Sequence, residues 1–495
     1  MLSPAFRERG PDLLAATIVA GTVVESLLFA WMERSFPRDL NLAYGTLPEI
    51  YARTANGRLA DVAHFAVEPG GWYNAAIAAW LHVAGRSGPA FTVVGALWSG
   101  LLCVAVLRLA SAWGGRETGP WAGVAAVALV AAAPGLTFQA RAGWIHTPEA
   151  ALIALAASAL AHDHPLKRRM TVATLAIAGA LAIALRPSGI VWILVLAAGV
   201  LAGMERSRAW AARALLVGGV WLLACRIPLP VIREYTQNHW TIRVRYAEIV
   251  PNIAEQLWHG VGGPGVLLTG VGLLALGVFA RRHPRGPALR AILLGGWIAL
   301  SLAMFVVVRC GLDNFPLLFV SLAILAGIGL GRDPRLAGFT AAFSLATLAW
   351  RAGTDVLAPA TTLPSTRVHA LLDATCPDRS GGKLCVVYID QGLFFPQSEE
   401  PGALELFLMR EGRVQAIPLS QRRGPEPSPD ALATWNCGER DAMWLQRFPR
   451  AGDERAFVIR RFGLVSAWKT TTDGCDFSWM TPGGTLAGAV EIAGS

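Results

Sequence analysis

The chain has 495 residues, of which 54% are hydrophobic and 16% are charged. This balance excludes an ordinary soluble enzyme and favours a membrane domain joined to a smaller soluble part. The net charge of +9 sits largely in short basic loops between apolar stretches, so it does not indicate nucleic-acid binding.

Apolar stretches recur along most of the chain, and many are long enough to cross a bilayer, which takes roughly 20 mostly apolar residues. Eleven membrane spans are predicted, at residues 12–33, 88–113, 120–136, 147–162, 171–186, 188–204, 210–227, 263–280, 288–308, 314–331 and 335–352. Those between residues 120 and 186 are short and rich in Ala and Gly, which favours close packing between helices. The sequence therefore predicts a polytopic α-helical membrane protein, with residues 1–355 forming the membrane domain.

The loops between these spans alternate in charge. Short loops carry clusters of basic residues, namely Arg7 and Arg9, Lys167–Arg169, Arg206 and Arg208, Arg281, Arg282 and Arg285, and Arg332 and Arg335. Because cytoplasmic loops are enriched in Lys and Arg, these loops and the N-terminus are predicted to be cytoplasmic in a multi-pass protein of the inner (plasma) membrane. Two long loops, 34–87 and 228–262, then face the outside, and the first contains an amphipathic interfacial stretch at Trp72–Val83.

The last quarter of the chain differs in character from the rest. After a Pro- and Thr-rich linker at 358–366, residues 367–495 read as a small soluble α/β domain. Lys383–Ile389 and Ala456–Ile459 are short runs of mostly apolar residues that include Val and Ile, which predicts two buried strands. An odd number of spans places this domain on the extracytoplasmic, periplasmic side.

Four of the seven cysteines lie in this C-terminal domain: Cys376, Cys385, Cys437 and Cys475. An even number in a compact segment predicts two disulfides, which persist only in an oxidising compartment outside the cytoplasm. Three pairings are possible and the sequence does not choose between them. We expect the near neighbours Cys376 and Cys385 to pair, which leaves Cys437 to pair with Cys475. A metal site is the competing interpretation. The sequence contains no Cys-x-x-Cys pair, which argues against it.

A series of short segments follows in a characteristic order. Residues 68–108 combine a Pro-containing turn, an aromatic-rich interfacial helix and a span that ends in a basic residue; after them come Phe138–Arg141, Thr147–Ala150, Leu185–Gly189 and Arg309 with Asp313 and Pro316. In order and spacing this series resembles the PMT-like membrane glycosyltransferases of the GT-C fold. That superfamily includes protein O-mannosyltransferases and the aminoarabinose transferase that modifies lipid A. The resemblance covers residues 12–350.

The resemblance implies a glycosyltransferase that moves a sugar from a polyprenyl-phosphate donor to an acceptor on the extracytoplasmic face. The acceptor, whether glycan, lipid or protein, is not defined by the sequence. A carboxylate is expected to act as the base that activates the acceptor. The family's acidic pair after the first span is matched here by either Asp39 or Glu49, which are the two candidates for that base. Because no protein nucleophile is required, inversion at the sugar is expected.

Arginines are expected to hold the donor phosphate, because a guanidinium matches phosphate oxygens in a bidentate way. Arg141, Arg186 and Arg309 fall at the predicted outer ends of spans. Ionisable groups at membrane depth cost free energy on insertion and usually mark function. We therefore expect these three side chains to bind the leaving phosphate.

The matched motifs assign further substrate contacts to Glu149, Glu68 and Tyr73. Asp61 and Glu68 could also join Asp39 around a divalent cation, since hard cations prefer oxygen ligands. Members of the GT-C group differ in their use of metals, so a metal cofactor is left unassigned.

Several of these residues also have a plain structural interpretation. Glu149 suits the first turn of a helix, Arg186 and Arg309 suit arginines that reach the headgroups, and the isolated His146 suits a satisfied polar contact. Two alternatives exist for the whole chain: a transporter or flippase for a lipid-linked sugar, and a catalytically inactive GT-C relative that scaffolds a cell-envelope complex. Charges clustered at one face, without a paired internal repeat, argue against the transporter.

Overall fold

The structure is a computed structural model that describes residues 4–31, 70–84, 88–115, 117–141, 145–161, 165–186, 189–202, 207–229, 246–282, 297–298, 315–357, 365–376, 385–389, 414–418, 428–436, 449–472 and 475–486. The chain divides into two compact units. The first takes in the N-terminal helix as far as Leu28, Ala66–Tyr73 and the helices between Val93 and Thr354. The second takes in the chain from Asp355 onward, together with Phe29–Phe65 and Asn74–Thr92.

The described part of the chain that precedes the sheet is helical almost throughout. Its helices are α1 (Pro4–Trp31), α2 (Gly71–Ala84), α3 (Gly88–Gly114), α4 (Gly119–Ala132), α5 (Pro134–Arg141), α6 (His146–Leu160), α7 (Arg169–Leu185), α8 (Gly189–Ala202), α9 (Arg208–Cys225), α10 (Tyr246–Val261), α11 (Gly263–Arg282), α12 (Phe315–Leu330) and α13 (Pro334–Arg351), with a 3₁₀ turn at Pro165–Lys167 and a π-helical turn at Ala352–Leu357. Most predicted spans coincide with one of these helices to within a few residues. The span predicted at 288–308 lies outside the described residues except for 297–298, and the predicted loop 228–262 contains α10.

The span predicted at 120–136 is interrupted by a proline and forms two helices, α4 and α5. Ala133 between them is extended, with φ −72° and ψ 113°, because the ring of Pro134 disfavours a helical conformation in the residue before it. Pro134 then opens α5, where its missing N–H would be unsatisfied in any case. The apolar run continues across this proline, which is why hydropathy predicts a single span.

Three of the described helical segments are long and apolar enough to cross a membrane: Gly10–Leu28, Val93–Gly114 and Arg208–Cys225. Four further apolar helices are shorter: Gly119–Ala132, Arg169–Leu185, Gly263–Phe279 and Pro316–Leu330. The segment Arg208–Cys225 exposes Leu215, Leu216 and Leu222, as expected for a helix that faces lipid. A mostly helical protein with apolar helices able to span a membrane and a small sheet is thus observed, and the number of eleven crossings stays a prediction.

Glycines allow three of these helices to pack so closely that their backbones are in contact. A methyl group on Gly327 of α12 would lie only 2.5–2.7 Å from atoms of Ala126 in α4, and Gly331, directly after α12, faces Ala122 of α4 in the same way. On another side of α12, Gly329 lies against the carbonyl group of Gly272 in α11. Lipid tails provide no hydrophobic drive between helices, so such close approach through small residues is what holds membrane helices together.

The contacts also define the relative direction of α11 and α12. Gly272 of α11 lies against Ala326 of α12. Further along both helices, Leu276 lies against Gly329, so the two helices are parallel. α12 therefore starts at the end of the bundle where α11 starts.

A buried ion pair joins α1 to α13. Nε of Arg351 in α13 lies 3.7 Å from Oε1 of Glu25 in α1, and both side chains are buried. Arg351 also donates to the carbonyl oxygens of Ala131, at 2.6 Å, and Ala132, at 3.3 Å, in the last turn of α4. The last carbonyls of a helix have no intrahelical partner, so Arg351 satisfies them while it neutralises the carboxylate. The pair ties α1, α4 and α13 together.

The second unit contains a mixed five-stranded sheet in the order β2-β1-β3-β5-β4. Its elements are α14 (Ser365–Thr375), β1 (Cys385–Ile389), β2 (Val414–Pro418), β3 (Ala431–Asn436), α15 (Pro449–Phe462), β4 (Leu464–Thr472) and β5 (Cys475–Pro482). β1 pairs in parallel with β2 and β3, while β5 is antiparallel to β3 and β4. β1 falls inside the predicted strand Lys383–Ile389, so a small sheet is present where the sequence predicts one.

The strand predicted at Ala456–Ile459 is wrong, because this stretch belongs to helix α15. Its Val and Ile favour a strand within a short window, but apolar residues recur at helical spacing between flanking charges. Val458 is fully buried and packs, with Phe462, against Tyr388 and Leu432 of the sheet. The helical period over the whole segment outweighs the β-propensity of its centre.

Helix α14 is fastened to the sheet by a hydrogen bond and a disulfide. Nε1 of Trp479 in β5 donates to Oγ1 of Thr375 at 2.9 Å. Cys376, directly after α14, forms a disulfide with Cys385 at the start of β1, which confirms the first predicted pair. Cys437 lies outside the described residues and the side chain of Cys475 is not described, so the second pair stays a prediction.

Gly327→Ala is expected to destabilise the folded protein by about 1–3 kcal/mol, because the added methyl group collides with Ala126. Gly277 of α11 is the matched control, since nothing lies within 4 Å of a methyl group at that position. Gly277→Ala should stabilise its helix by about 0.5–1 kcal/mol, because alanine has the higher helix propensity. Thermal unfolding of the full chain in nanodiscs measures both changes, and shifts of the same sign and size would contradict the packing of α12 on α4.

Candidate functional site

Two prolines place charged side chains at one end of the helical bundle. Arg186 directly follows α7 and is extended, with φ −149° and ψ 151°, as expected for a residue that precedes a proline, here Pro187. α6 begins at His146 and carries Pro148 and Glu149 in its first turn. Proline is tolerated in a first helical turn, and a carboxylate there faces the positive end of the helix dipole. The end of α7 and the start of α6 therefore bring opposite charges together.

Arg186, Glu149 and His146 form a buried group, the His146–Glu149–Arg186 cluster. Nη1 of Arg186 lies 2.6 Å from Nδ1 of His146 and donates to Oε2 of Glu149 at 3.1 Å. Glu149 is 0% exposed and His146 3% exposed, while 15% of the Arg186 side chain is exposed. The guanidinium thus neutralises the carboxylate in a place with little water, where hydrogen bonds between charged groups are strongest.

The chemistry of the cluster is suited to binding an anion. A guanidinium presents its N–H donors in a flat fork that matches the oxygens of a phosphate or a carboxylate. Arg186 is the most exposed member of the cluster, whereas Glu149 is fully buried against a cation. A carboxylate in that position is a poor base for a substrate proton, because a general base has to be within reach of the group it deprotonates. The cluster therefore suits the binding of charge better than proton transfer by Glu149.

The start of α2 docks on the last turns of α7. The N–H of Gly70 donates to the carbonyl of Ala184 at 2.9 Å, and Nε1 of Trp72 donates to the carbonyl of Leu181 at 3.2 Å. Gly70 has φ +76°, and a side chain there would press on the carbonyl oxygen of Leu185, so this turn requires glycine. The docking brings the beginning of α2 to within about one helical turn of Arg186.

Three aromatic rings pack together next to this docking point, forming an aromatic wall of Trp72, Tyr73 and Trp98. The ring centroids of Trp72 and Tyr73 are 5.9 Å apart, and each lies 6.2 Å from the ring of Trp98 in α3, all edge to face. Tyr73 is almost completely buried. Edge-to-face contacts fix the ring positions, because the positive edge of one ring meets the negative face of the next. The aromatic wall is therefore a rigid apolar group beside the docking point of α2 on α7.

Of the predicted substrate-binding residues, Glu149 and Arg186 are in direct contact, and Tyr73 packs against Trp72, which docks on the last turns of α7. His146, interpreted from the sequence as a satisfied polar contact, belongs to the same cluster. Trp98 was not predicted, since nothing in the apolar pattern of its span distinguishes it from its neighbours. Arg141 is the last residue of α5, but its side chain is not described. The other predicted residues lie outside the described part of the chain, namely Asp39, Glu49, Asp61, Glu68 and Arg309.

No protein-family model matches this chain, and no curated protein matches it in sequence. The support for a function is therefore the chemistry of the side chains and the positions of the helices that hold them. The His146–Glu149–Arg186 cluster supplies the chemistry, and the arrangement of α6, α7 and the aromatic wall supplies the geometry.

Proposed function

We propose that this chain is a membrane glycosyltransferase of the GT-C type, which transfers a sugar from a polyprenyl-phosphate donor to an acceptor outside the cytoplasm, with inversion at the sugar. The observation that carries this proposal is the buried His146–Glu149–Arg186 cluster at one end of the helical bundle. Ionisable side chains at membrane depth are costly and are retained chiefly where they bind or react. A buried arginine there suits the phosphate of a lipid-linked donor.

The cluster faces the outer side of the inner membrane in this proposal. α7 begins in the basic segment Lys167–Arg169 and reaches Arg186 after 17 residues, which is about 25 Å along the helix axis. Arg213 of α9 donates to the backbone carbonyl of Lys167 and adds a further cation at the basic end. Because Lys and Arg are enriched on the cytoplasmic side, that end lies in the cytoplasm and Arg186 lies at the outer surface.

The directions of the helices support eleven alternating crossings. α11 and α12 are parallel, so the chain between them has to return across the bundle, which supports a crossing at 288–308. α1 and α13 are parallel as well, because Gly21 lies beside Leu348 and, further along both helices, Glu25 pairs with Arg351. Parallel first and last helices require an odd number of spans. The N-terminus is then cytoplasmic, and residues 367–495 are extracytoplasmic.

The donor is held at two points in this proposal. Its phosphate binds Arg186, with Arg141 and Arg309 adding positive charge from the outer ends of their spans. The aromatic wall provides the rigid apolar surface that a prenyl chain or the face of a sugar ring needs. Glu68, two residues before Gly70 in the sequence, is the proposed contact to the sugar.

Because Glu149 is fully buried against Arg186, the base that activates the acceptor has to be another carboxylate. Asp39 and Glu49, in the first outer loop, are the candidates. The base takes the proton of the acceptor hydroxyl or amide as the acceptor atom bonds to the anomeric carbon. The bond from that carbon to the phosphate oxygen breaks at the same time. The lipid phosphate leaves with the electron pair, and the guanidinium of Arg186 stabilises the charge that develops.

Arg186→Gln is expected to weaken the binding of polyprenyl phosphate by about tenfold or more, since a hydrogen bond to a charged group contributes about 1.5–3 kcal/mol. Arg226 is the matched control, because it is an exposed arginine that directly follows α9, a helix parallel to α7. Arg226→Gln should bind as the wild type does. Binding is measured on the full chain in nanodiscs, and unchanged binding by Arg186→Gln would remove the basis of the transferase proposal.

Asp39→Asn and Glu49→Gln, made singly, identify the base. Loss of the base should lower the rate of sugar transfer by about 10²–10⁴-fold, while the binding of polyprenyl phosphate is retained. The donor for the assay is the lipid-linked sugar that accumulates in a deletion strain, identified by mass spectrometry. If neither variant loses transfer, both candidates are wrong. If the wild type moves the lipid-linked sugar across vesicle membranes and transfers nothing, the flippase alternative replaces the transferase.

The disulfide of the C-terminal region tests the topology. Peptide mapping without reductant, on protein from untreated cells, should find Cys376 joined to Cys385, because this bond persists only outside the cytoplasm. Cys103 and Cys225, which are free thiols in α3 and α9, serve as internal controls and should remain reduced. A reduced Cys376 under these conditions would place the C-terminal region in the cytoplasm and contradict an odd number of crossings.

A further inference from the structure

We infer that His146 is a positioning residue that fixes Arg186 through a neutral imidazole, so that acid releases Arg186 and weakens anion binding at this site. The inference rests on the proposed function, because it specifies how the phosphate of the lipid donor is held. It follows from the hydrogen-bonding capacity of the two side chains and from the charges around them.

The protonation state of His146 is defined by its partner. A guanidinium has only N–H donors, offers no acceptor and stays charged at every pH at which proteins fold. Nδ1 of His146 lies 2.6 Å from Nη1 of Arg186, so Nδ1 has to be the acceptor and carries no proton. The imidazole proton is then on Nε2, and the ring is neutral. The contact itself selects one tautomer.

The charges facing His146 come from few groups. Glu149 lies in the same helical turn, with Oε2 3.9 Å from Nδ1 of His146. α6 packs against α5, α7, α8 and α12. α8 and α12 contain no ionisable residue, α7 contributes Arg186 after its last turn and Arg169 at its far end, and α5 ends at Arg141, whose side chain is not described. Of the ionisable side chains described on these elements, Glu149 and Arg186 are the ones seen in contact with the imidazole.

Protonation reverses the contacts of His146. An imidazolium donates from both ring nitrogens, so Nδ1 changes from an acceptor for Arg186 into a competitor for Oε2 of Glu149. Two cations then share one carboxylate in a site with little water, where like charges repel strongly. Arg186 is the more exposed of the two cations and is the one that is displaced. The contact needs the neutral ring, so it is present while the imidazole is unprotonated and is lost when acid protonates it.

The test compares the wild type with H146N and H146L. Asparagine places a non-titrating acceptor close to the position of Nδ1, and leucine removes the acceptor. Binding of polyprenyl phosphate to the full chain in nanodiscs is measured from about pH 8 to about pH 5, on both sides of the ordinary imidazole pKa of about 6.5. Wild-type affinity should fall by about tenfold relative to H146N over this range, and H146L should bind weakly throughout. The ratio to H146N removes the effect of the ligand's own phosphate titration.

Identical pH curves for the wild type and H146N would overturn the inference. A wild type that binds no polyprenyl phosphate at any pH contradicts the proposed function instead, and nitrogen NMR of the nine histidines then decides the role of His146. The imidazole signal that is missing from H146N should show an unprotonated Nδ1 and a protonated Nε2 at about pH 8. It should lose this single tautomer in Arg186→Gln. A proton on Nδ1 of the wild type at that pH would also overturn the inference.

Discussion

One guanidinium organises the end of the bundle at which the candidate site lies. Glu149 has no exposure to solvent, so its negative charge is tolerable only beside a cation, and Arg186 is that cation. Short-range rules place both groups: Pro187 makes the residue before it extended, and the first turn of α6 favours an acid. The local preferences at the two helix ends and the long-range ion pair therefore favour the same structure. This agreement is what allows a buried charge to stabilise one arrangement of the helices.

Two buried ion pairs among the described residues of the helical unit differ in what surrounds the arginine. Arg351 contacts Glu25 and also donates to the backbone carbonyls of Ala131 and Ala132, which cannot titrate. Arg186 contacts Glu149 and the side chain of His146, which is itself an ionisable group. The first pair suits a permanent tie between helices. The second suits a site that responds to its ligand and to its surroundings.

Sequence patterns predict the helices better than they predict the site. Apolar runs locate most helices because a buried or lipid-facing helix needs them. Hydropathy does not detect the break at Pro134, which divides one predicted span into two helices. Around Val458, the strand preference of Val and Ile in a short window outweighs the helical spacing of the longer segment, so the helix is predicted as a strand. In the site, Arg186 and Glu149 are each conspicuous as charges near apolar runs. Their contact across 37 residues depends on how α6 and α7 pack. No local pattern contains that information.

The parallel pairing of the first and last helices of the bundle has a consequence for how the protein is made. Glu25 is synthesised 326 residues before Arg351, so in the proposed membrane topology its helix inserts long before the arginine emerges from the ribosome. In the interval the carboxylate lacks that counter-charge, which costs free energy in an inserted helix, up to about 3 kcal/mol at its centre. During biogenesis, the favourable insertion free energy of the apolar residues of α1 has to offset this cost. When α13 joins the bundle, Arg351 pairs with Glu25 and stabilises the completed arrangement of helices.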